Sequence, residues 1–456
     1  MPRTFATLLV CACALVACKK PDQGQAGTTT AGSPSTGPIR VGEVGSMTGS
    51  EATFGTSSDK GIQLHVSEVN GAGGIKGRQI EVIALDDEGK PEQAATAATR
   101  LIASEHVIAL LGEVASSRSK FMAPKAQAAK VPMITPSSTN RTVTEIGDYI
   151  FRACFIDEFQ GYVMAKFAAD NLKIKKVAVL KDVRNTYSVG LAEVFTQEFQ
   201  KLGGKVIATE SFSAGDVDFK AQLTNIKGVR PEGIYVPAYY TDVGLIARQA
   251  REAGITAPLL GGDGWDSEKL HEIGGKAIEG SYFSNHYSVD DPSPRIQAFV
   301  AKFKKAYGGQ LPDSLAAQAY DAAGMLFDAM KRAPEITGPA IRDALAQTKN
   351  YVGVTGDITI GPDRNPIKPA VVLKVGVGGK YEFAGKIQPP GVAAASGDSA
   401  APPGPKKTEG NTAPNPAPGN KPTPTPQSET GSTSSASAAA TTGQPQGIPA
   451  GEHPKK

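Results

Sequence analysis

The stretch Val107-Ile108-Ala109-Leu110-Leu111-Gly112-Glu113-Val114-Ala115-Ser116-Ser117 decides the architecture. An apolar run this short, stopped by a glycine, predicts a strand buried on both faces, and a helix begins near Ser116. A strand that turns through a glycine into a helix is half of a βαβ unit, the element from which parallel sheets are built. Outward from it the same alternation recurs. Strand-like Val/Ile/Leu runs occupy 39–44, 79–85, 131–134, 176–180, 205–210, 233–236 and 258–260, and helical patterns occupy 57–69, 91–102, 158–171, 188–202 and 242–253. The pattern restarts after 149–154. Past 280–283 it breaks into successive helices at 293–307, 313–332 and 339–347, and strands at 357–360, 370–375 and 380–383 close the chain. The fold class is α/β, in two doubly wound parallel-sheet lobes.

The 456 residues are 40% hydrophobic and 20% charged, enough for two core-bearing domains. With 48 Lys+Arg against 45 Asp+Glu and a net charge of +3, nothing points to nucleic acid as a partner. The one long apolar run, Phe5 to Val16, follows Arg3 and leads into Leu15-Val16-Ala17-Cys18. It reads as an export signal over 1–17, and L-V-A-C resembles a lipobox, which makes Cys18 the expected lipidated N-terminus. Residues 18–38 are polar linker. Residues 389–456 carry 14 of the 33 prolines and no aromatic residue, so they are expected to be disordered. Cys11 and Cys13 leave with the signal and Cys18 carries lipid, so Cys154 remains alone and no internal disulfide is expected.

No G-x-S-x-G, Walker A or H-E-x-x-H motif occurs, and His65, His106, His271, His286 and His453 lack metal-ligand spacing. No cofactor, metal or catalytic residue is expected. Gly71 to Gly77 follows a helix and precedes a strand, so it reads as a helix stop rather than a phosphate cradle. Asp86-Asp87-Glu88 reads as a solvated acidic turn. The loops after the strands carry more, because open α/β sheets bind ligands at the carboxyl ends of their strands. Ser116 suits a helix N-cap beside N–H groups that favour a carboxylate. Ser137-Ser138-Thr139 follows another strand, as do Tyr187 and Tyr239, and Asp263 and Trp265 lie in Gly261-Gly262-Asp263-Gly264-Trp265-Asp266. A hydrolase using Ser116 or Ser137 with His106 or His65 is the weakest reading, since those histidines precede a strand and lie inside a helix.

Val44-Gly45-Ser46-Met47-Thr48-Gly49, Asn70 to Gly77, Asp86-Asp87, Met133-Ile134-Thr135-Pro136 and Leu245 to Ala253, in this order, resemble the branched-chain amino-acid binding family. These are extracytoplasmic solute receptors with the type I periplasmic-binding fold. The resemblance spans about 39–388 and implies three inter-lobe crossings, near 152–159, 280–287 and 355–362. It puts 39–157 and 284–358 in the first lobe and 158–283 and 359–388 in the second. It also implies that Ser116 and Thr139 meet an α-carboxylate, and that Asp263, helped by the Ser137 carbonyl, meets an α-ammonium. Tyr187 and Tyr239 come from the second lobe, and Phe54, Ala115 and Trp265 bound the side-chain end. The lobes are expected to close on ligand about a hinge. A monomeric, membrane-anchored lipoprotein that delivers an amino acid to an ABC permease follows, with a sensory module, or a receptor for an amide, urea or aromatic acid, as alternatives. Gly89 stands where a disulfide cysteine is expected in the family, Phe54 replaces a tyrosine, and Ser137 and Ser138 replace small apolar residues. The acid at Asp263 favours a cationic amine, since it would otherwise be buried without a counter-ion.

Overall fold

The computed structural model describes residues 37–391. The expected signal, Cys18, nearly all of the linker and nearly all of the 389–456 tail lie outside them. The first sheet contains β1 (Ile39–Gly45), β2 (Ile80–Asp86), β3 (Leu110–Gly112), β4 (Met133–Thr135) and β5 (Ile150–Arg152), in the order β2-β1-β3-β4-β5 and parallel throughout. Helices α1 (Ala52–Gly71), α2 (Pro91–Ala103) and α3 (Ser116–Ala129) connect its strands. Leu110 joins a cluster with Ala98 of α2 and Met122 of α3, whereas Leu111 joins the opposite cluster with Ile62 of α1. Neighbouring side chains of one strand therefore bury on opposite faces, which is why the run is apolar without alternation. It is shorter than expected, because the Val107 and Ile108 N–H groups bond to Leu101 and Arg40 before the β3 ladder begins.

The second sheet is reached through α4 (Asp157–Asp170) and contains β6 (Lys176–Asp182), β7 (Lys205–Phe212), β8 (Gly233–Tyr235), β9 (Leu259–Gly261) and β10 (Tyr282–Asn285). The helices α5 (Thr186–Lys201), α6 (Lys220–Val229), α7 (Tyr240–Glu252) and α8 (Lys269–Gly274) lie between these strands in sequence. The chain then makes α9 (Pro294–Ala306), α10 (Ser314–Arg332), α11 (Gly338–Ala346) and the hairpin β11 (Tyr351–Gly353) and β12 (Gly356–Ile358). It finishes with β13 (Ala370–Val375) and β14 (Tyr381–Ile387), giving the order β14-β13-β10-β9-β8-β6-β7. Only β13, which is antiparallel to both β10 and β14, departs from parallel pairing. The expected divide at 283/284 falls inside β10, whose Ser284 and Asn285 still pair with β13.

α10 returns to the first sheet and packs along α1, so the chain passes between the lobes three times: after β5, after β10 and after β12. Gly61 makes the α1–α10 approach possible. A Cβ there would lie 2.1 Å from the Ala316 carbonyl oxygen, so any side chain would push the helices apart. The crossings are tied together by Lys368, buried in the third, which donates to the Ala153 carbonyl of the first at 3.3 Å. Cys154, in the first crossing, is a free thiol buried against the Ser138 carbonyl. Among the described residues no helix is long and apolar enough to cross a membrane.

Candidate functional site

The loops at the carboxyl ends of the strands converge on one space. Phe54 in the first turn of α1, Ser116 opening α3 and Ser137 after β4 reach it from the first lobe. Tyr187 in the first turn of α5, Tyr239 ahead of α7 and Asp263 after β9 reach it from the second. Val114, Gly264 and Leu315 complete its wall. The cavity between these atoms is only about 10 Å³, so the walls stand close together. A surface concavity of about 520 Å³ lies beside the crossings, but it does not collect strand-end residues from both sheets.

Direct contacts hold the lobes together over it. Thr53 Oγ1 meets Ser267 Oγ at 3.0 Å, Thr241 Oγ1 donates to the Ser50 carbonyl at 2.7 Å, and the Thr186 N–H donates to Ser117 Oγ at 3.0 Å. Phe54 meets Tyr239 edge-on at 5.1 Å, and Tyr239 stacks on Tyr187 at 5.4 Å. The Ser314 N–H at the start of α10 donates to Asp266 Oδ2 at 2.8 Å.

On the first-lobe wall Ser116 is the first residue of α3 rather than its cap. Ala115 holds the cap position and Ser116 Oγ accepts from the Asn140 N–H at 3.2 Å. The Ser116 and Ser117 N–H groups at the start of α3 have no preceding helical carbonyls, whereas the Arg118 N–H already bonds the Ala115 carbonyl, so the positive end of the helix lies at this wall. Glu113 organises that end. Its Oε2 accepts from the Ala115 N–H at 2.5 Å and Arg118 Nε at 2.9 Å, while Oε1 accepts from Ser46 Oγ at 3.1 Å. Arg118 also pairs with Glu51 at 3.2 Å and lies 6.0 Å from the Tyr239 ring. Burial penalises its charge, but Glu113, Tyr239, Glu51 and Asp87 together outweigh that penalty, so its pKa lies above the usual range. The acidic turn is not wholly solvated. Asp86 is exposed, but Asp87 is buried, with Oδ1 accepting from the Gly89 N–H at 2.9 Å and lying 2.9 Å from Ser46 Oγ. Burial, with Glu113 nearby, pushes its carboxyl up to about 7.

On the opposite wall Asp263 Oδ1 accepts from Gln160 Nε2 at 2.8 Å and Oδ2 faces His286 Nε2 at 3.0 Å. Burial pushes His286 down to about 4 despite that acid, so the imidazole is neutral near pH 7. The Tyr187 hydroxyl accepts from the Gly264 N–H at 3.3 Å, fixing the turn that carries Asp263.

Six of the expected residues thus share one space: Phe54, Ser116, Ser137, Tyr187, Tyr239 and Asp263. Three do not line it. The Ala115 N–H is turned back onto Glu113, and Thr139 Oγ1 faces the Asp157 carboxylate without a well-formed hydrogen bond. Trp265 is fully buried in the second lobe, with Nε1 donating to the Val236 carbonyl at 3.0 Å and its ring packed under Gly261. A Cβ on Gly261 would lie 2.0 Å from that indole, so the glycine run makes room for the tryptophan. Ser137 Oγ accepts from Gln318, His65 packs on Tyr320 at 4.3 Å and His106 is exposed, so no serine–histidine pair forms among them. Among the described residues no group of three His, Cys, Asp or Glu side chains could hold a metal ion.

Sequence reasoning missed Glu113, Arg118, Gln160 and His286. A Glu and an Arg flanking the start of α3 were legible as a helix-end pair. Gln160 and His286 had no local signal, since they reach Asp263 from 103 and 23 residues away.

A family model described as periplasmic binding protein matches residues 38–380. The Leu/Ile/Val-binding protein homolog 2 of Brucella abortus (strain 2308) is 32% identical over 379 residues, covering 82% of this chain and 97% of the relative. Among solved structures, the leucine-binding protein LivK of Thermotoga maritima is 41% identical with a TM-score of 0.74, over 77% of this chain and 99% of the other. The branched-chain amino acid transporter substrate-binding protein LivJ of Streptococcus pneumoniae, in complex with isoleucine, is 35% identical with a TM-score of 0.73, over 77% and 100%.

Proposed function

Since the chain belongs to the periplasmic binding protein family, among its branched-chain amino-acid binding proteins, we propose that its two lobes close on a free amino acid and deliver it to an ABC permease. It is an extracytoplasmic solute-binding receptor rather than an enzyme. The observation that carries the ligand reading is the split polarity of the cleft: hydroxyls and the positive end of α3 on one wall, the Asp263 carboxylate on the other. That arrangement matches an α-carboxylate and an α-ammonium on one small molecule. Phe54, Tyr239 and Leu315 supply the apolar remainder, which suits an aliphatic side chain. Attachment to the membrane through a lipid on Cys18, and action as a monomer, are part of the same proposal and rest on the L-V-A-C sequence and on the family respectively.

A thermal-shift screen of the twenty amino acids tests the class, because ligand at ~100 times its dissociation constant adds about 2.7 kcal/mol of stability. The expected result is a raised melting temperature with leucine, isoleucine or valine. No response to any amino acid would overturn the reading. Titration of Asp263→Asn tests the orientation. A charge-assisted hydrogen bond is worth about 1.5 to 3 kcal/mol, so leucine should bind roughly one to two decades more weakly while its deaminated analogue, 4-methylpentanoate, loses little. Equal losses for both would reject Asp263 as the ammonium partner.

A further inference from the structure

Asp263 is held from behind. Gln160 Nε2 lies 2.8 Å from Oδ1 and His286 Nε2 lies 3.0 Å from Oδ2, one donor to each oxygen. A carboxylate only accepts, so the imidazole is the Nε2–H tautomer and the amide presents its NH₂. Neither residue lines the cleft itself. The His286 ring is fully buried and fixed by a parallel stack on Phe155 at 3.8 Å, and its Nδ1 is buried with no hydrogen bond. Gln160 is fixed by a second bond, Nε2 to Ser284 Oγ at 3.1 Å. Two rigid donors thus determine how the carboxylate is turned, and its remaining lone pairs are left for the cleft.

We infer that His286 and Gln160 are positioning residues for the amine end of the ligand, aiming the Asp263 carboxylate without adding a compensating charge to it. This rests on the reading of Asp263 as the ammonium partner. Buried carboxylates are commonly paired with Arg or Lys, which would cancel the charge. Here both partners are neutral: the amide carries no charge, and the burial that disfavours imidazolium, with Lys368 adding to it, keeps the ring uncharged near pH 7. The ligand is then the cation that completes the pair, so an amine is selected over an isosteric molecule lacking one.

The test compares leucine with 4-methylpentanoate by calorimetric titration of the wild type and four variants. His286→Phe keeps a ring against Phe155 but removes the donor, and His286→Gln restores an N–H at the Nε2 position. Gln160→Met removes the other donor at similar length and keeps the question answerable if His286→Phe does not fold. Asp263→Asn is the reference. Losing one donor should weaken leucine about tenfold, a hydrogen bond to a charged group being worth at least that, with 4-methylpentanoate changed less than about twofold. His286→Gln should recover most of the leucine affinity. Equal losses for the two ligands, or a Gln variant no better than Phe, would reduce His286 to a packing residue and overturn the inference. If Asp263→Asn itself fails to discriminate, the ammonium reading falls first. If Asp263→Asn discriminates and the His286 and Gln160 variants do not, only the positioning role falls.

Discussion

Arg118 is the residue on which the first-lobe wall turns. It is almost wholly buried, and it bonds Glu113, Glu51 and the Gly89 carbonyl. Removing one partner of a buried ion pair leaves the other charges uncompensated, so Arg118→Met should cost about 3 to 5 kcal/mol in chemical denaturation. A loss under about 1 kcal/mol would contradict this role. Trp265 gives the opposite lesson. The resemblance put it at the side-chain end of the cleft, but the indole is buried inside one lobe, with Nε1 on the Val236 carbonyl. Its emission should therefore stay blue and unchanged on adding leucine, and a ligand-dependent shift would contradict this placement. The positions of Ser116, Ser137, Tyr187, Tyr239 and Asp263 were legible because each follows a strand, and strand ends face the cleft. Side-chain direction was not, because whether a loop residue points to the cleft or to the core depends on what its own lobe leaves room for. Gly261 leaves room for Trp265.

Among the elements, strands and helices with long apolar patterns were readable from the residues, whereas α6 was not, since it buries only Leu223 and Ile226. Two apolar residues one turn apart do not distinguish a helix from a loop. The loop between β2 and α2 joins the one between β3 and α3 through Ser46, which bonds both Asp87 and Glu113. This pairing of acids makes the junction pH-sensitive. An acid lifted from its ordinary value of 3.8 to about 7 binds a proton in the folded chain that the unfolded chain has released. Its contribution is thus fully present at low pH and is lost as pH rises through about 7. Asp87→Asn, which keeps an acceptor for Ser46 and Gly89, should flatten the fall in melting temperature between pH 5 and pH 8 and raise stability at the upper end. An unchanged pH profile would remove Asp87 as its source.

For the molecule as a whole, closure is expected to be linked to a proton. Asp266 of the second lobe reaches the N-terminus of α10, where Asp313 already caps the helix. Burial, and Asp266 beside it, push Asp313 up to about 7. Bringing the lobes together near pH 6.5 should therefore take up protons, seen as leucine-binding enthalpies that vary with the ionisation enthalpy of the buffer. Asp313→Asn should abolish the part due to this pair, and identical buffer dependence in wild type and variant would refute the link. A chain ending at residue 391 should bind leucine as the full chain does, because every cleft residue lies before that point. The buried thiol has a practical corollary. Cys154 is buried within the first crossing and burial pushes it up to about 12, so maleimide dyes will pass it by. A chain limited to residues 37–391 could thus carry a pair of fluorophores on engineered surface cysteines, one per lobe, and serve as an optical gauge of free amino acid without any native cysteine being removed.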